Sequence, residues 1–233
     1  MAAPPLTPAR LTRLGVATAL AAGAVTTVVS IATMPDLAGD HAERLRAIGA
    51  APATATLSAL TWVAAQLFVG VGAVGVAHLL RNRVPVLALV AGALVGLQAF
   101  GHAVYGGVNL VMLSMARDLG SVDTHAAVLT DVESGTALPF MALGLIGTVL
   151  GMLVLAAALW RGRLGPRWVG PAIVAWIVVE FAGSAVSEWS TYLSGLLYLV
   201  IFGTLAVVVH RSSVGHWETA VEATAPSPER VVV

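Results

Sequence analysis

The sequence predicts an all-α integral membrane protein, a bundle of six transmembrane helices with both termini in the cytoplasm. Three observations predict it. Of the 233 residues, 58% are hydrophobic and only 10% are charged, six segments are apolar over long distances, and the arginines are divided unevenly between the loops. An ordinary soluble domain has about 25% charged residues, so the composition excludes that class.

The six apolar segments are the predicted spans, because a helix needs about 20 residues to cross about 30 Å of hydrocarbon. They are residues 14–34, 57–80, 84–115, 136–160, 168–189 and 191–210. Together they form one predicted transmembrane domain, 14–211, which follows a cytoplasmic N-terminal segment, 1–13. The tail, 212–233, is rich in small polar residues and proline and is predicted to be disordered and cytoplasmic.

The arginines predict the orientation. One side of the six-span arrangement carries Arg10, Arg13, Arg81, Arg83, Arg161, Arg163, Arg167, Arg211 and Arg230, whereas the other carries Arg44, Arg46 and Arg117. The positive-inside rule places the side that is richer in arginine in the cytoplasm. All twelve basic residues are arginine, a bias typical of high-GC bacteria, so we expect a multi-pass protein of the bacterial inner membrane.

Composition also excludes several functions. The chain has no cysteine, which excludes thiolate catalysis and thiolate metal sites. Its formal net charge is zero and no basic patch indicates nucleic acid, so the predicted partners are the lipid bilayer and a lipophilic small molecule. No metal or organic cofactor is predicted. The acids and histidines of the segments 36–43 and 118–133 are predicted to lie on solvated outer loops, with a divalent-cation site as the alternative.

An acid within the fifth span is the principal functional signal. Glu180 lies in the apolar run 171–184, and a carboxyl group near the bilayer centre costs several kcal/mol even on lenient scales. Such residues face a bundle interior or a wet cavity, so Glu180 is predicted to be functional. Trp176 and Ser184 lie one helical turn to either side of it and share its face.

Polar residues on the third span form a stripe. Gln98, His102, Tyr105 and Asn109 are spaced by four, three and four residues, so they share one helical face that must turn away from lipid. For any one of these residues alone, a hydrogen bond to a neighbouring helix is a sufficient explanation. Four on one face, together with a buried acid, favour a polar-lined cavity.

Counting residues from the outer ends of the spans places several of these side chains at a common depth. Gln66, His102, Glu180 and Tyr198 share a layer, and Trp62, Tyr105, Ser184 and Tyr192 lie nearer the outer surface. Aromatic residues are frequent there. The predicted catalytic residues are Glu180, His102 and Tyr105, and the predicted substrate-binding residues are Trp62, Gln66, Phe68, Gln98, Phe100, Asn109, Trp176, Phe181, Ser184, Tyr192 and Tyr198.

Two resemblances accompany these residues. The segment 159–171, Leu-Trp-Arg-Gly-Arg-Leu-Gly-Pro-Arg-Trp-Val-Gly-Pro, resembles a loop of small actinobacterial multi-pass membrane proteins, which implies a six-helix bundle but no particular chemistry. In size, helical layout and intramembrane acid, the chain also loosely resembles the membrane-bound terpene cyclases of meroterpenoid pathways. This second resemblance implies an acid that protonates a prenyl chain or its epoxide.

The leading hypothesis is therefore a membrane enzyme, an isomerase or lyase of the terpene-cyclase type, that performs proton-transfer chemistry on a lipophilic and prenylated substrate. A buried neutral carboxylic acid can donate a proton, and aromatic faces stabilise the resulting cation. Glu180 is the predicted acid, and His102 or Tyr105 orients it or accepts a proton. The first alternative is a small transporter or channel subunit in which Glu180 and His102 relay protons or bind a cation. The second is a non-catalytic assembly subunit.

Overall fold

The computed structural model describes residues 7–187 and 189–218, and the regular structure of this part of the chain is helical. It has the α-helices α1 (Pro8–Thr33), α2 (His41–Ala50), α3 (Pro52–Leu80), α4 (Pro85–Met115), α5 (Val122–Ser134), α6 (Leu138–Gly162), α7 (Val169–Ala182) and α8 (Ser190–Arg211). Short 3₁₀ helices span Leu119–Ser121, Gly183–Ala185 and Val214–His216.

Five helices, α1, α3, α4, α6 and α8, are long and apolar enough to cross a membrane. The protein is therefore a helical membrane protein, as the sequence predicts. Three of these helices, α1, α3 and α4, begin with Pro8, Pro52 and Pro85. Proline is favoured at this first position because its nitrogen has no hydrogen that would need a partner.

Helix α7 is shorter than the predicted fifth span, 168–189. It has 14 residues and ends at Ala182, where the 3₁₀ turn Gly183–Ala185 begins. A Cβ atom added at Gly183 would lie 2.6 Å from the Cβ atom of Ser190, so the start of α8 packs directly on this turn. The helix ends early because the chain must reverse within a few residues to enter α8.

The six apolar helices pack side by side in a ring whose order is α1, α3, α4, α6, α7 and α8, with α8 returning to α1. Consecutive members of this ring run in opposite directions. Between α1 and α3, and again between α4 and α6, the chain leaves the ring to form α2 and α5. Both of these helices lie at one end of the bundle, which we call the cap end. The opposite end is called the arginine end, because Arg10, Arg13, Arg81, Arg83, Arg161, Arg163, Arg167 and Arg211 lie there.

The cap is helical, which corrects the prediction that its acids and histidines lie on loops. A capping box starts α2, in which the Asp40 side chain accepts from the Glu43 backbone amide at 2.8 Å and the Glu43 carboxylate accepts from the Asp40 amide at 3.0 Å. Leu45 of α2 and Leu129 of α5 are buried in a small apolar cluster with the ends of α3 and α4. The Asp-x-x-Glu spacing is the sequence signal for this helix.

Arginine side chains at the arginine end bind carbonyl groups where helices finish. Arg83 Nη1 donates to the carbonyl oxygens of Gly162 at 2.9 Å and Arg163 at 3.2 Å. Arg13 Nη1 likewise donates to the Ser212 carbonyl at 2.8 Å. The last carbonyls of a helix lack partners within it and carry partial negative charge, so these contacts stabilise the ends of α6 and α8.

The first residues of the predicted disordered tail pack against the bundle instead. Trp217 is buried, its ring stacks on His78 with centroids 5.2 Å apart, and its indole nitrogen donates to the Ser212 hydroxyl at 2.8 Å. A large aromatic side chain buries enough apolar area to hold such a short segment. The remaining tail, 219–233, lies outside the described residues.

Helices α4 and α6 approach each other closely because glycines form the contact. A Cβ atom at Gly147 would lie 2.7 Å from the backbone nitrogen of Gln98, and one at Gly101 would lie 2.5 Å from the nitrogen of Gly144. Small residues allow membrane helices to pack backbone against backbone. This contact brings His102 and Gln98 of α4 into a fixed position relative to α6.

Candidate functional site

A cavity of about 330 Å³ lies inside the ring, from the middle of the bundle towards the cap end. All six apolar helices contribute to its wall, whereas the four residues predicted to share a layer, Gln66, His102, Glu180 and Tyr198, come from only four of them. Its volume is at the lower end of the range for small-molecule sites. The lining residues are Thr27, Ile31, Met34, Trp62, Gln66, Val69, Gln98, His102, Leu145, Thr148, Trp176, Glu180, Phe181, Thr191, Ser194, Gly195 and Tyr198.

Glu180 lies at the rim of this cavity, in the last turn of α7. Its Oε2 atom accepts a hydrogen bond from the hydroxyl group of Ser194, which joins α7 to α8. Glu180 and its neighbour Phe181 are exposed, whereas Gln66 and Gln98 of the cavity wall are buried. The cavity therefore runs from an open rim at Glu180 to a closed floor at the two glutamines.

His102 lies on the wall formed by α4 and is held by α6. Its Nε2 atom is 3.0 Å from Thr148 Oγ1, and the Thr148 hydroxyl donates to the Gly144 carbonyl at 2.8 Å. Because a hydroxyl group has one proton to donate, Thr148 accepts from the histidine, and the proton of His102 is on Nε2. The Trp62 ring packs against His102 in an edge-on arrangement with centroids 5.5 Å apart.

Two glutamines form the polar part of the floor. Gln66 Nε2 donates to the carbonyl of Trp62, one turn earlier on α3, at 3.3 Å. Gln98 is 6% exposed, and within the described part of the chain its Oε1 atom has no hydrogen-bond partner. The indole nitrogen of Trp62 is likewise buried without a partner there.

Aromatic rings cover the side of the cavity next to Glu180. Trp176 of α7 and Tyr198 of α8 are 5.4 Å apart between ring centroids, and Tyr198 stacks on Phe202 at 4.2 Å. Trp176 precedes Glu180 by one helical turn, and Tyr198 follows Ser194 by one turn, so both pairs repeat on one helical face. An acid, a hydroxyl group and two aromatic faces therefore border one space.

The structure brings eight of the predicted site residues to the cavity: Trp62, Gln66, Gln98, His102, Trp176, Glu180, Phe181 and Tyr198. Tyr105, a predicted catalytic residue, is not among them. Its hydroxyl group donates to Glu133 Oε1 of α5 at 2.8 Å, and Glu133 Oε2 is 3.5 Å from His41 Nε2. Tyr105 shares the helical face of His102 but lies one turn nearer the cap, so it binds the cap instead.

The other predicted residues lie elsewhere. Phe100 is exposed on the outer surface against Phe140, and Tyr192 is exposed beside Trp189. Phe68 faces α1 at Gly23. Asn109 borders a second cavity, and the side chain of Ser184 lies outside the described residues.

The second cavity measures about 180 Å³ and lies between the first cavity and the cap. Met34 and Trp62 border both spaces, so they form the partition between them. Ser30 and Ser58 line the second cavity and bind each other across α1 and α3. The interior at the cap end is therefore divided by two side chains rather than by backbone.

Sequence reasoning missed four hydroxyl residues of the first cavity, Thr27, Thr148, Thr191 and Ser194. Two of them, Ser194 and Thr148, contact the predicted catalytic residues Glu180 and His102. Both are small hydroxyl residues in apolar helices, where such residues also satisfy their own hydrogen bonds to the preceding turn. A signal was present for Ser194, because it lies one turn before Tyr198 on the same face of α8. Thr148 lacked such a signal, since its role follows from the close approach of α4 and α6.

Comparison of the chain with protein-family models, with curated proteins and with solved structures finds no match. Within the described residues, no group of three or more histidine, aspartate or glutamate side chains is arranged to hold a metal ion. The functional assignment therefore rests on the cavity and its side chains.

Proposed function

We propose that the protein is an integral membrane enzyme that binds a lipophilic, prenyl-type substrate in the first cavity and begins its reaction by transferring a proton from Glu180. One observation carries the proposal: the carboxyl group lies at the rim of a cavity whose wall is mostly apolar and aromatic. A single acid in an aromatic pocket suits an uncharged substrate whose reaction passes through a cation.

The proposed step balances without an oxidant. The Glu180 carboxylic acid gives its proton to one carbon of a substrate double bond, so that a C–H bond forms and the π bond breaks. The cation that develops on the other carbon faces Trp176 and Tyr198, whose ring faces stabilise positive charge. Loss of a proton from an adjacent carbon to the Glu180 carboxylate forms a new double bond and restores the acid, which completes an isomerisation. In a cyclisation, a second double bond of the substrate first attacks the cation, so that its π bond breaks and a ring C–C bond forms, and the proton is then lost beside the new cationic carbon.

His102 has a supporting part in this proposal. Its Nε2–H group is committed to Thr148, so in the neutral ring Nδ1 is an acceptor and provides a second destination for the released proton. The hydrogen bond to Thr148 also fixes the ring against Trp62 and keeps the wall of the cavity rigid. Tyr105 has no part in the chemistry, because it binds the cap.

We also propose that α7 makes a sixth crossing and that both termini are cytoplasmic. Helix α7 is about 21 Å long at 1.5 Å per residue, and the described residues 183–187 extend the chain beyond its end. Irregular backbone at membrane depth is tolerated where it is covered by protein or lines a cavity, and this turn adjoins the cavity rim. The arginine end faces the cytoplasm by the positive-inside rule.

Replacement of the acid tests the enzyme proposal. The full chain in lipid nanodiscs is incubated in deuterated water with C10 to C20 isoprenoid alkenols, and deuterium incorporation into carbon positions is followed by mass spectrometry. The wild type should incorporate deuterium. Glu180→Gln should lower the rate by about 10²- to 10⁴-fold, the usual contribution of a general acid, and Glu180→Asp should retain partial activity because it keeps the proton.

Glu133→Gln is the matched control, because it changes an acid that lies in the cap and can still accept from Tyr105. It should incorporate deuterium at the wild-type rate. If Glu180→Gln incorporates deuterium as fast as the wild type, Glu180 is not the catalytic acid. If the wild type instead incorporates no deuterium and moves protons into proteoliposomes in a way that depends on Glu180, the enzyme proposal is rejected in favour of the transporter alternative.

Reporter fusions test the topology. Fusions after Arg83 and after Arg163 should both report the cytoplasm, because both positions lie at the arginine end. A fusion after Gly135, at the cap end, should report the opposite side of the membrane and is the control for reporter function. A non-cytoplasmic signal from either arginine-end fusion would overturn the orientation.

A further inference from the structure

The α6–α7 loop, residues 163–168, carries two arginine side chains that the fold does not use. Arg83, at the same end of the bundle, donates to carbonyl groups at the end of α6. Arg163 and Arg167 are exposed, and within the described residues neither guanidinium group has a hydrogen-bond or ion-pair partner. Their positive charges are therefore available to a ligand.

Arg163 occupies a backbone position that favours glycine. Its φ is 48° and its ψ is 43°, in the left-handed region, and within the described residues it is the only residue other than glycine with a positive φ. The residue that ends a helix in this conformation is usually glycine, because a Cβ atom is unfavourable there. Backbone strain of this kind is concentrated at functional sites, so it indicates that the arginine side chain has a role.

The two arginines border a small cavity of about 120 Å³ at the end of α6. Because water occupies about 30 Å³ per molecule in the liquid, the cavity has room for a group of a few atoms, such as a phosphate. Its wall contains no acid, and the sequence has none between Glu133 and Glu180. The other lining residues are Leu159, Trp160, Gly165, Pro166 and Gly170.

Close packing on both sides holds the backbone of this cavity in place. A Cβ atom at Gly170 would lie 3.0 Å from the Ala156 carbonyl oxygen, so α7 begins directly against α6. A Cβ atom at Gly165 would lie 3.1 Å from Val208 Cγ2, so the loop also packs on α8. Leu164 is buried between these contacts. A cavity that is formed before its ligand arrives binds with a smaller ordering cost.

The cavity lies at the level of the membrane surface. Helix α6 is long and apolar enough to cross a membrane, and it ends at Gly162. Trp160 and Trp168, on either side of the loop, are 57% and 45% exposed, and tryptophan is enriched at the level of the lipid head groups. A ligand here has charge beside the arginines and apolar surface beside Trp160. A phospholipid has both parts, whereas free phosphate has only the first.

We propose that the α6–α7 loop binds an anionic phospholipid of the surrounding membrane, with the phosphate between the guanidinium groups of Arg163 and Arg167 and the acyl chains along Trp160. Arginine suits this ligand because its planar fork can donate two hydrogen bonds to phosphate oxygens. A zwitterionic lipid would bring a cation to a wall that has no acid, so a lipid with net negative charge is favoured. This site is separate from the first cavity and does not depend on the enzyme proposal.

Lipid binding to the purified full chain tests the proposal. The protein in detergent is titrated with phosphatidylglycerol or with phosphatidylcholine that has the same acyl chains, and native mass spectrometry measures the bound fraction. Phosphatidylglycerol should bind about 25-fold more tightly, because each of two arginines near a membrane surface contributes about fivefold. A preference below about threefold would overturn the proposal.

Paired substitutions separate a local site from net charge. Arg163→Gln combined with Arg167→Gln should remove the preference for phosphatidylglycerol. Arg161→Gln combined with Arg211→Gln is the matched control, because it removes two exposed arginines from the same end that do not line the cavity. This control should keep most of the preference. Equal losses in the two double variants would assign the preference to net charge and reject the site.

Arg163→Gly separates lipid binding from folding. Glycine adopts the left-handed conformation without the Cβ penalty, so the variant in detergent should unfold at the same temperature as the wild type or a higher one. Its affinity for phosphatidylglycerol should nevertheless fall about fivefold. An affinity equal to that of the wild type would show that Arg163 does not bind the lipid, and the proposal would fail.

Inorganic phosphate distinguishes the two sources of a phosphate group. Millimolar phosphate at constant ionic strength should not displace phosphatidylglycerol, because it lacks the apolar chains that lie along Trp160. Displacement of the lipid by phosphate would identify a site for the soluble anion and reject the phospholipid as its ligand.

Discussion

The two halves of the bundle are stabilised in different ways. At the arginine end and in the adjoining middle of the ring, apolar side chains such as Leu80, Ile173, Leu205 and Val209 are completely or almost completely buried against one another. Within the described residues, the buried polar side chains all lie at the middle of the bundle or towards the cap end: Ser30, Ser58, Gln66, Gln98, Thr148, Ser190 and Ser194.

The difference separates the side chains that pack the bundle from those that line the candidate site. Dispersion contacts in a close-packed interior are individually weak but numerous, so together they stabilise the arginine end. Helices at the cap end are instead joined by hydrogen bonds and by the small helices α2 and α5, and two cavities remain between them. We infer that the arginine end holds the bundle together while the cap end carries the site.

Removal of a packed side chain should have the largest effect. Leu205 is fully buried, so Leu205→Ala should lower the free energy of unfolding by about 2–5 kcal/mol through lost contacts and a new cavity. Leu145→Ala is the matched substitution on the wall of the first cavity, where the side chain is 42% exposed, and should cost less than about 1 kcal/mol. Unfolding in mixed micelles with increasing denaturing detergent measures both. Equal costs would contradict the division between the halves.

Overpacking the contact between α4 and α6 should lower the free energy of unfolding by less than Leu205→Ala does. The change also affects the candidate site, because Gln98 lines the first cavity. In Gly147→Ala the new methyl group meets the backbone of Gln98 and Leu94 at 2.7–2.9 Å, so the helices must separate, at about 1–3 kcal/mol for an overpacked contact. Gly96→Ala on α4 is the control, because no atom lies within 4 Å of its added Cβ atom. Unfolding measurements should show a loss for the first variant and none for the second. A neutral Gly147→Ala would show that this contact is loose.

The sequence predicts only some of the residues that line the cavity at the cap end. Counting depth along the spans placed Gln66, His102, Glu180 and Tyr198 in one layer, and the structure brings all four to the cavity, because straight helices of known direction make depth calculable. Depth alone did not show that Tyr105 contacts the cap and not the cavity. Only one helical turn separates the two, and the sequence does not show where α5 packs.

Other features depended on contacts between distant segments. Hydropathy could not reveal that α7 ends at Ala182, because residues 183–187 are small or apolar and resemble a continuing span. The cap helices are short and amphipathic, so they have too few apolar residues to register as spans. Gly147 and Thr148 acquire their roles only when α4 lies against α6, which a single sequence does not specify.

The smallest predicted effect concerns the hydrogen bonds that join α1 and α3 at the cap end. Ser30 Oγ is 3.0 Å from the Ser58 carbonyl and Ser58 Oγ is 2.9 Å from the Ser30 carbonyl, so each hydroxyl group can donate to the other helix. A double-mutant cycle of Ser30→Ala and Ser58→Ala should give a coupling of about 0.6 kcal/mol, the average for such pairs in a membrane protein, and below about 1.7 kcal/mol. The coupling is small because each hydroxyl group can instead donate to the preceding turn of its own helix.

Unfolding of the wild type, both single variants and the double variant in mixed micelles provides the four free energies. A coupling as large as the loss in Leu205→Ala would show that hydrogen bonds stabilise the cap end as strongly as packing stabilises the arginine end, and the proposed division would then fail.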